Sequence, residues 1–406
     1  MVPSASFQTL RRSSPVRSDI SAQAIAVGVL AAFVGFASSF AVVLKGLTAI
    51  GATPAEAASG LMALSIGMVI GCIGLSLWTR MPISAAWSTP GAALLAATPA
   101  IEGGFAAAVG AFLVAGGLIV IAGLWRPLGR AVASIPASLA NAMLAGVLLN
   151  LCLAPVKAVQ QNPAFGLAIV GTWLAVAQWK RLWAVPAAAL VTLALIVASA
   201  KIAPGAFDQI WPTPVLVTPQ FTLPALIGIA LPLFIVTMAS QNIPGVAVLA
   251  VHGYRPDPGR LFWSTGLLTV LVAPFGGHAM NLAAITAALC ANPDAHPDPK
   301  RRYWATIASG VTYLPLALAA GAATAFVAAT PPILIEAVAG LALLGSFGSA
   351  LLGAVTEVKD REAAVVTFLV TASGLSFFGI GGAFWGLVAG GGVLALIRWR
   401  AARSTP

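Results

Sequence analysis

Charge is what this chain has least of. Only 8% of its 406 residues are Asp, Glu, Lys or Arg, against roughly 25% in soluble domains. With 59% of the chain hydrophobic, one soluble core could not hide the apolar surface behind so few charges. Cysteine is reduced to Cys72, Cys152 and Cys290, each alone in an apolar stretch. With no CxxC and no ligand spacing, a disulfide framework and a cysteine metal site are both excluded. His and acidic residues form no cluster facing a cleft, so the reading is of a non-enzyme, and no cofactor or metal is expected. The net charge of +10 would suit nucleic acid only if basic residues gathered on one face among aromatics. Here Lys and Arg stand singly or in twos and threes between apolar runs, so no nucleic-acid partner is expected. Arg11, Arg12 and Arg17 precede the first run without a convincing cleavage site, so no removed signal peptide is expected either.

What the chain has in abundance is membrane-grade sequence, with a mean hydropathy of +0.97. A crossing helix needs about 20 apolar residues. Candidate spans are 22–44, 57–78, 82–97, 104–124, 131–153, 164–179, 184–202, 222–243, 261–273, 274–290, 304–327, 332–355, 364–380 and 382–398. Two of them are broken by Pro, Gly and polar residues: Pro82 to Ala97, and Pro274 to Cys290. Irregular backbone survives in lipid only where protein buries it or where it lines a cavity. A pair of interrupted segments, one in each half, points to the substrate site of a transporter built from inverted repeats.

Positive charge decides whether the broken segments cross. Fourteen crossings with both termini cytoplasmic leave only Lys45, Lys157 and Lys201 outside, and the other 18 of the 21 Lys and Arg inside. Twelve crossings would move Arg126, Arg130, Lys180, Arg181, Arg255 and Arg260 outward, and only Lys157 and Lys201 inward. Fourteen is the expectation: an all-α polytopic membrane protein whose third and tenth segments are a short extended stretch followed by a half-helix. Ile83–Trp87 then Pro90–Pro99, and Pro274–His278 then Ala279–Ala288, have the length for it. Seven crossings per half force the second half to be inverted. A faint echo of Ile135-Pro136, Asn141-Ala142-Met143 and Gly146 in Pro331-Pro332, Glu336-Ala337-Val338 and Gly340 agrees.

Converging half-helix N-termini would offer free N–H donors and a positive dipole end to an anion. Ser88, Thr89, His278, Met280 and Asn281 are expected around them. Span eight adds Ser240, Gln241 and Asn242, read as a polar run at a helix end terminated by Pro244 and Gly245. Phe36 and Phe40 of span one, with Ser38 and Ser39, and Phe275 complete the set. Polar donors with Phe and Met suit a ligand with one charged end and a flat apolar body. The serines and Thr89 also suit helix capping or back-bonding, the amides a structural network, the Phe residues packing, and His278 a satisfied core position. Among the acidic residues only Glu336 falls inside a span, near its extracellular end, where it could relay protons or complement a helix N-terminus. An unperturbed imidazole titrates near pH 6.5, so His278 and Glu336 are the two candidates for proton coupling, His278 being preferred. With no carboxylate in the expected pocket, the substrate class is anionic.

The strings AWSTPGAALL (86–95), LPLFIVTMASQNIPG (231–245), PFGGHAMNLAAITAALC (274–290), NPDAHPD (292–298), VTASGL (370–375) and GIGGAFWGL (379–387) resemble the benzoate–proton symporter family, BenE type. That family is related to the nucleobase–ascorbate and sulfate permease transporters. The resemblance spreads over nearly the whole chain. It implies a 7+7 inverted repeat: a cytoplasmic tail (1–20), a core domain from 21–130 and 221–330, and a gate domain from 131–220 and 331–406. Gln241 stands near where the nucleobase branch carries a carboxylate, a departure that fits an anionic ligand. The implied function is proton-coupled uptake of benzoate or a similar aromatic carboxylate across the bacterial inner membrane. The implied partners are that anion, a proton and the lipid bilayer, and a homodimer is compatible with it. A uniporter or exchanger for another organic or inorganic anion is the alternative.

Overall fold

The computed structural model describes residues 21–99, 101–125, 127, 136–199, 211–378 and 380–404. The expected tail 1–20, the start of span five at 131–135 and the charged positions Arg126, Arg130 and Lys201 lie outside the described residues.

The chain is overwhelmingly helical. Among the described residues seven helices are long and apolar enough to cross a bilayer, and a bent pair makes an eighth. The first apolar run is two helices, α1 (Ala22–Ala37) and α2 (Phe40–Ala49). They part where Ser38 and Ser39 both turn their hydroxyls back onto the Gly35 carbonyl, at 3.1 and 2.9 Å, a local bond that competes with helix continuation. α3 (Pro54–Thr79) opens on a full capping box, Thr53 with Glu56, and has Pro54 at its first position. A strand β1 (Ala85–Trp87) and a half-helix α4 (Thr89–Ala96) follow, then α5 (Gly104–Leu124).

The middle of the chain forms α6 (Ala137–Gln161) and α7 (Pro163–Ser199); Lys180 leaves helical geometry inside the latter, at φ −145° and ψ 95°. Next comes α8 (Leu223–Val251), with π-helical turns at Leu226–Ala230 and Met238–Asn242. Span eight therefore does not end at Pro244 and Gly245. A proline lacks the N–H for the i−4 carbonyl and crowds it; the widened turn at Met238–Asn242 absorbs both faults, and the helix runs on to Val251. Ser240, Gln241 and Asn242 are thus inside a helix rather than at its end.

α9 (Pro258–Val272) ends in a 3₁₀ turn, Ala273–Phe275, and a left-handed Gly276. The second strand, β2, is Met280–Leu282 and its half-helix, α10, is Ala284–Ala291. The expected break at Pro274–His278 comes later in the chain: Pro274 and Gly276 close α9, the extended segment is Met280–Leu282, and the half-helix starts at Ala284 rather than Ala279. Then follow α11 (Tyr303–Leu318) and α12 (Ala320–Ala329), bent by 53° at their junction. α13 (Pro332–Val355), α14 (Arg361–Ala372), a small hairpin of β3 (Ser376–Phe377) and β4 (Ile380–Gly381), and α15 (Gly382–Ser404) complete the chain.

The two broken segments meet. β1 pairs antiparallel with β2, with Ala85 opposite Leu282, Ala86 opposite Asn281 and Trp87 opposite Met280. Two three-residue strands would leave backbone groups unmet in an apolar interior, and the surrounding helices meet them. The Ala85 N–H donates to Cys72 Sγ at 3.3 Å, Met280 N–H to Thr269 Oγ1 at 2.9 Å and Leu282 N–H to Asn242 Oδ1 at 2.9 Å. At the ends of the pair, Ala283 N–H reaches Ser84 O and Ser88 N–H reaches Ala279 O, both at 2.8 Å. α3, α8 and α9 thereby hold the miniature sheet, and the sheet fixes where α4 and α10 begin.

Candidate functional site

A cavity of about 130 Å³ opens where these pieces converge; an apolar protein cavity of ~150 Å³ accepts benzene. Its wall begins with Gly35, Ser38 and Ser39 at the break between α1 and α2. Trp87, the last residue of β1, is held in place by donating its Nε1–H to Ser39 Oγ at 2.9 Å. Behind it lies an aromatic stack: Phe36 is tilted on Trp87 at 5.5 Å between centroids and parallel to Phe40 at 5.7 Å. Tyr313 of α11, beside Gly35, and Leu343 and Ser346 of α13 complete the lining. Position 35 is tight: a Cβ there would stand 3.0 Å from the Tyr313 oxygen, so Tyr313 would have to give way by a few tenths of an ångström.

Both half-helices present their first turns to this cavity: Thr89 and Pro90 from α4, Ala284, Ile285 and Thr286 from α10. The two ends differ in one respect. α4 is capped by Ser88, whose Oγ accepts from Gly91 N–H at 3.1 Å and is itself hydrogen-bonded by Thr237 at 3.1 Å. α10 has Ala283 at its N-cap and no side chain to accept from its first-turn amides. Alanine is among the poorest N-caps, and three of the orphan donors of a helix start here beside open space. Thr286 spends its hydroxyl on Ser84, 2.8 Å away. Among the described residues no Asp, Glu, Lys or Arg lines the cavity, and no group of His, Cys, Asp or Glu could hold a metal ion. The field at this point is that of two helix N-termini, positive and unopposed.

Of the residues read from the sequence, Ser38, Ser39, Thr89 and Gln241 line the cavity; both serines donate to Gly35 O, whereas the side chains of Thr89 and Gln241 carry no hydrogen bond to another residue. The π turn is what aims Gln241 there. Ser88, Asn242 and Asn281 lie just behind the wall. Asn242 holds Leu282, as above, and donates its amide to Met238 Sδ at 3.3 Å. Asn281, with its amide turned to satisfy both ends, donates to Leu282 O and accepts from Ser88 N–H. Phe36 and Phe40 back Trp87 without reaching the opening. Met280, Phe275 and His278 are elsewhere. Met280 and Asn281 are strand residues, not helix residues, and the Met280 side chain packs near Gly67. Phe275 sits in the turn after α9, partly exposed. His278 is fully buried against Phe112, at 6.4 Å between rings, with neither ring nitrogen hydrogen-bonded, and it does not line the cavity. Glu336, on the second turn of α13, is paired with Lys45 of α2 at 2.7 Å. Trp87, Tyr313, Ala283 and Ser346 were not singled out from the sequence. Trp87 could have been, as the aromatic directly preceding a Ser-Thr-Pro helix start.

The sequence matches the family described as Benzoate membrane transport protein over residues 18–396. Among curated relatives, "Inner membrane protein YdcO" of Escherichia coli (strain K12) is 41% identical over 367 residues, 90% of this chain and 93% of that protein. "Benzoate membrane transport protein" of Acinetobacter baylyi (strain ATCC 33305 / BD413 / ADP1) is 30% identical over 376 residues, 92% of this chain and 95% of that one. Two solved structures share the fold at 15% identity. SLC26A9 superposes with a TM-score of 0.59 over 92% of this chain, which spans 65% of that chain. The transmembrane domain of the cyanobacterium bicarbonate transporter BicA gives 0.56, over 91% of this chain and 98% of the domain.

Proposed function

The chain belongs to the benzoate membrane transport family, a family of transporters and not of enzymes, and on that premise we propose that it carries benzoate or a similar aromatic carboxylate into the cell together with a proton. One observation supports the substrate class above the rest: the uncapped start of α10 faces the capped start of α4 across a cavity with no charged lining. The carboxylate would take the amides of Ala284, Ile285 and Thr286, with Thr89 and Gln241 as side-chain donors. The ring would lie along Trp87, with Phe36 and Phe40 behind it, and against Tyr313 and Leu343.

Transport requires the cavity to face each side in turn. We assign α1–α5 and α8–α12 to a core domain, and α6, α7 and α13–α15 to a gate domain, as a 7+7 inverted repeat of fourteen crossings with both termini cytoplasmic in the inner membrane. The packing supports the division: α11 packs on both α1 and α3, while α6, α13 and α14 pack on one another. The cavity lies between the two groups. Lys45 of α2 and Glu336 of α13 bridge them at one end. Glu336 is ten residues from Ser346, about 15 Å along the helix, so the pair closes the cavity well away from the substrate. A carboxylate that must leave its lysine whenever that end opens can exchange a proton at that moment, and Glu336 is the proton carrier this arrangement favours over the sealed His278.

Competition binding on purified protein tests the substrate class. Benzoate should displace a bound aromatic acid, while benzamide and benzyl alcohol, of the same shape without the charge, should do so at least tenfold less well. Equal displacement by the neutral analogues would remove the anion site, and preference for bicarbonate or another inorganic anion over benzoate would favour an exchanger or uniporter of a different substrate.

A further inference from the structure

A second cavity shares no lining residue with the first. α3 ends in Arg80, whose backbone is left-handed at φ 55°, a conformation usually left to Gly or Asn at a helix end. The turn throws the Arg80 side chain onto Tyr303: Nη1 donates to the phenol oxygen at 2.7 Å, and the guanidinium lies over the ring, 5.3 Å from its centroid. Across from it the 292–302 loop is built around buried Arg302, which donates to the carbonyls of Ala291 at 2.7 Å and His296 at 2.8 Å. Tyr254 pins the same loop by donating to Pro299 O at 2.8 Å. The loop's one carboxylate in the pocket, Asp298, is engaged by Lys300 N–H at 2.9 Å and by Arg301 at 3.6 Å. Between these walls is an open pocket of about 700 Å³ lined by Arg80, Lys300 and Arg301 with Tyr254 and Tyr303. Three cations face it and one carboxylate, already paired.

The depth of this pocket relative to the bilayer is marked independently. Trp78, two residues before Arg80, is 52% exposed. It meets Trp263 edge to face at 6.3 Å and carries the Arg260 guanidinium at 5.7 Å from its centroid. Exposed tryptophans with arginine beside them sit at headgroup level. A rigid basic pocket at that level meets phosphate from the membrane side, and cationic pockets between transmembrane helices bind anionic headgroups.

We propose that Arg80, Lys300 and Arg301 form a binding site for the phosphate of an anionic phospholipid headgroup. This site is separate from the transport cavity and does not depend on the transport reading. Native mass spectrometry of the full chain, purified with equal phosphatidylglycerol and phosphatidylcholine, tests it. The parent should retain phosphatidylglycerol in preference. Arg80→Gln with Lys300→Gln should lower that retention roughly thirtyfold, the scale of two charges near a surface, while Lys359→Gln, at a different exposed position, should leave it unchanged. Equal retention by the double variant and the parent overturns the site. Should inorganic phosphate at millimolar concentration displace the lipid completely and stabilise the lipid-free protein to the same extent, the ligand is free phosphate and the lipid assignment fails.

Discussion

At the scale of single residues, the cavity separates side chains that hold the site from those free to hold a ligand. Ser88 is spent on capping α4, and Asn242 and Asn281 on backbone groups at the paired strands, whereas Thr89 and Gln241 face the opening uncommitted. A hydrogen bond to a charged group contributes about 2 kcal/mol, some thirtyfold in affinity. Gln241→Leu should therefore weaken benzoate binding by roughly that factor while leaving the thermal midpoint nearly unchanged, as calorimetry and a melt on the same sample would show. Asn242→Leu should do the reverse, because it strands the buried Leu282 N–H: a lower midpoint first, with binding lost only as the strands loosen. His278→Gln should leave benzoate affinity within about twofold, since the imidazole does not reach the cavity. A tenfold loss there would return His278 to the site. Nothing in the sequence could have moved it away. The only histidine within a span is a natural candidate, and which wall its ring faces depends on α5, more than 150 residues earlier.

At the scale of elements, the decisive feature is the missing cap of α10. Ala283→Asp would supply what the helix lacks, and an acidic N-cap is worth about 1 kcal/mol over alanine. It would also place a carboxylate where the substrate's is proposed to lie. The variant should melt at or above the parent's temperature and fail to bind benzoate, a combination that a purely structural helix start would not produce. Measuring both on one preparation checks it; unchanged binding would show that the anion sits elsewhere. Several elements were readable from local pattern alone: α5 and α13 fall at 104–124 and 332–355 as the apolar runs predict, and Ser88-Thr89-Pro90 marks the start of α4. The second broken segment was misplaced because its Pro and Gly residues signal a turn without saying which neighbour they belong to. They end α9, and the strand is positioned by its pairing with β1, a non-local fact. Pro244-Gly245 misled for a related reason. A proline inside a helix reads as a stop unless a π turn precedes it, and that turn is stabilised by packing, including Gly245 close against Leu282.

At the scale of the whole molecule, α13 shares one cavity with α1, α4, α10 and α11, and the Lys45–Glu336 pair joins α2 to α13. If that pair is a closure, Glu336→Gln should let a thiol reagent on its side of the membrane reach a cysteine placed at Leu343 several-fold faster than in the parent, and exchanging the charges, Lys45→Glu with Glu336→Lys, should restore protection. Unchanged labelling in Glu336→Gln would assign the pair to static packing. Glu336→Gln should also abolish accumulation driven by a pH gradient while sparing exchange of labelled for unlabelled substrate, the mark of a lost proton rather than a lost site. The expected inversion comes from the charge distribution along the chain and the expected division into core and gate from the family resemblance, but which helices pack together is set by contacts the sequence does not display. The most direct measurement is uptake of labelled benzoate into proteoliposomes with the outside made acidic, corrected for the uncharged acid that enters protein-free vesicles. Accumulation well above that correction, saturable by benzoate, insensitive to benzamide, and absent in Ala283→Asp is the expected result. Uptake no greater than in protein-free vesicles, or equal uptake by Ala283→Asp, would contradict an aromatic carboxylate carried between the two half-helix N-termini.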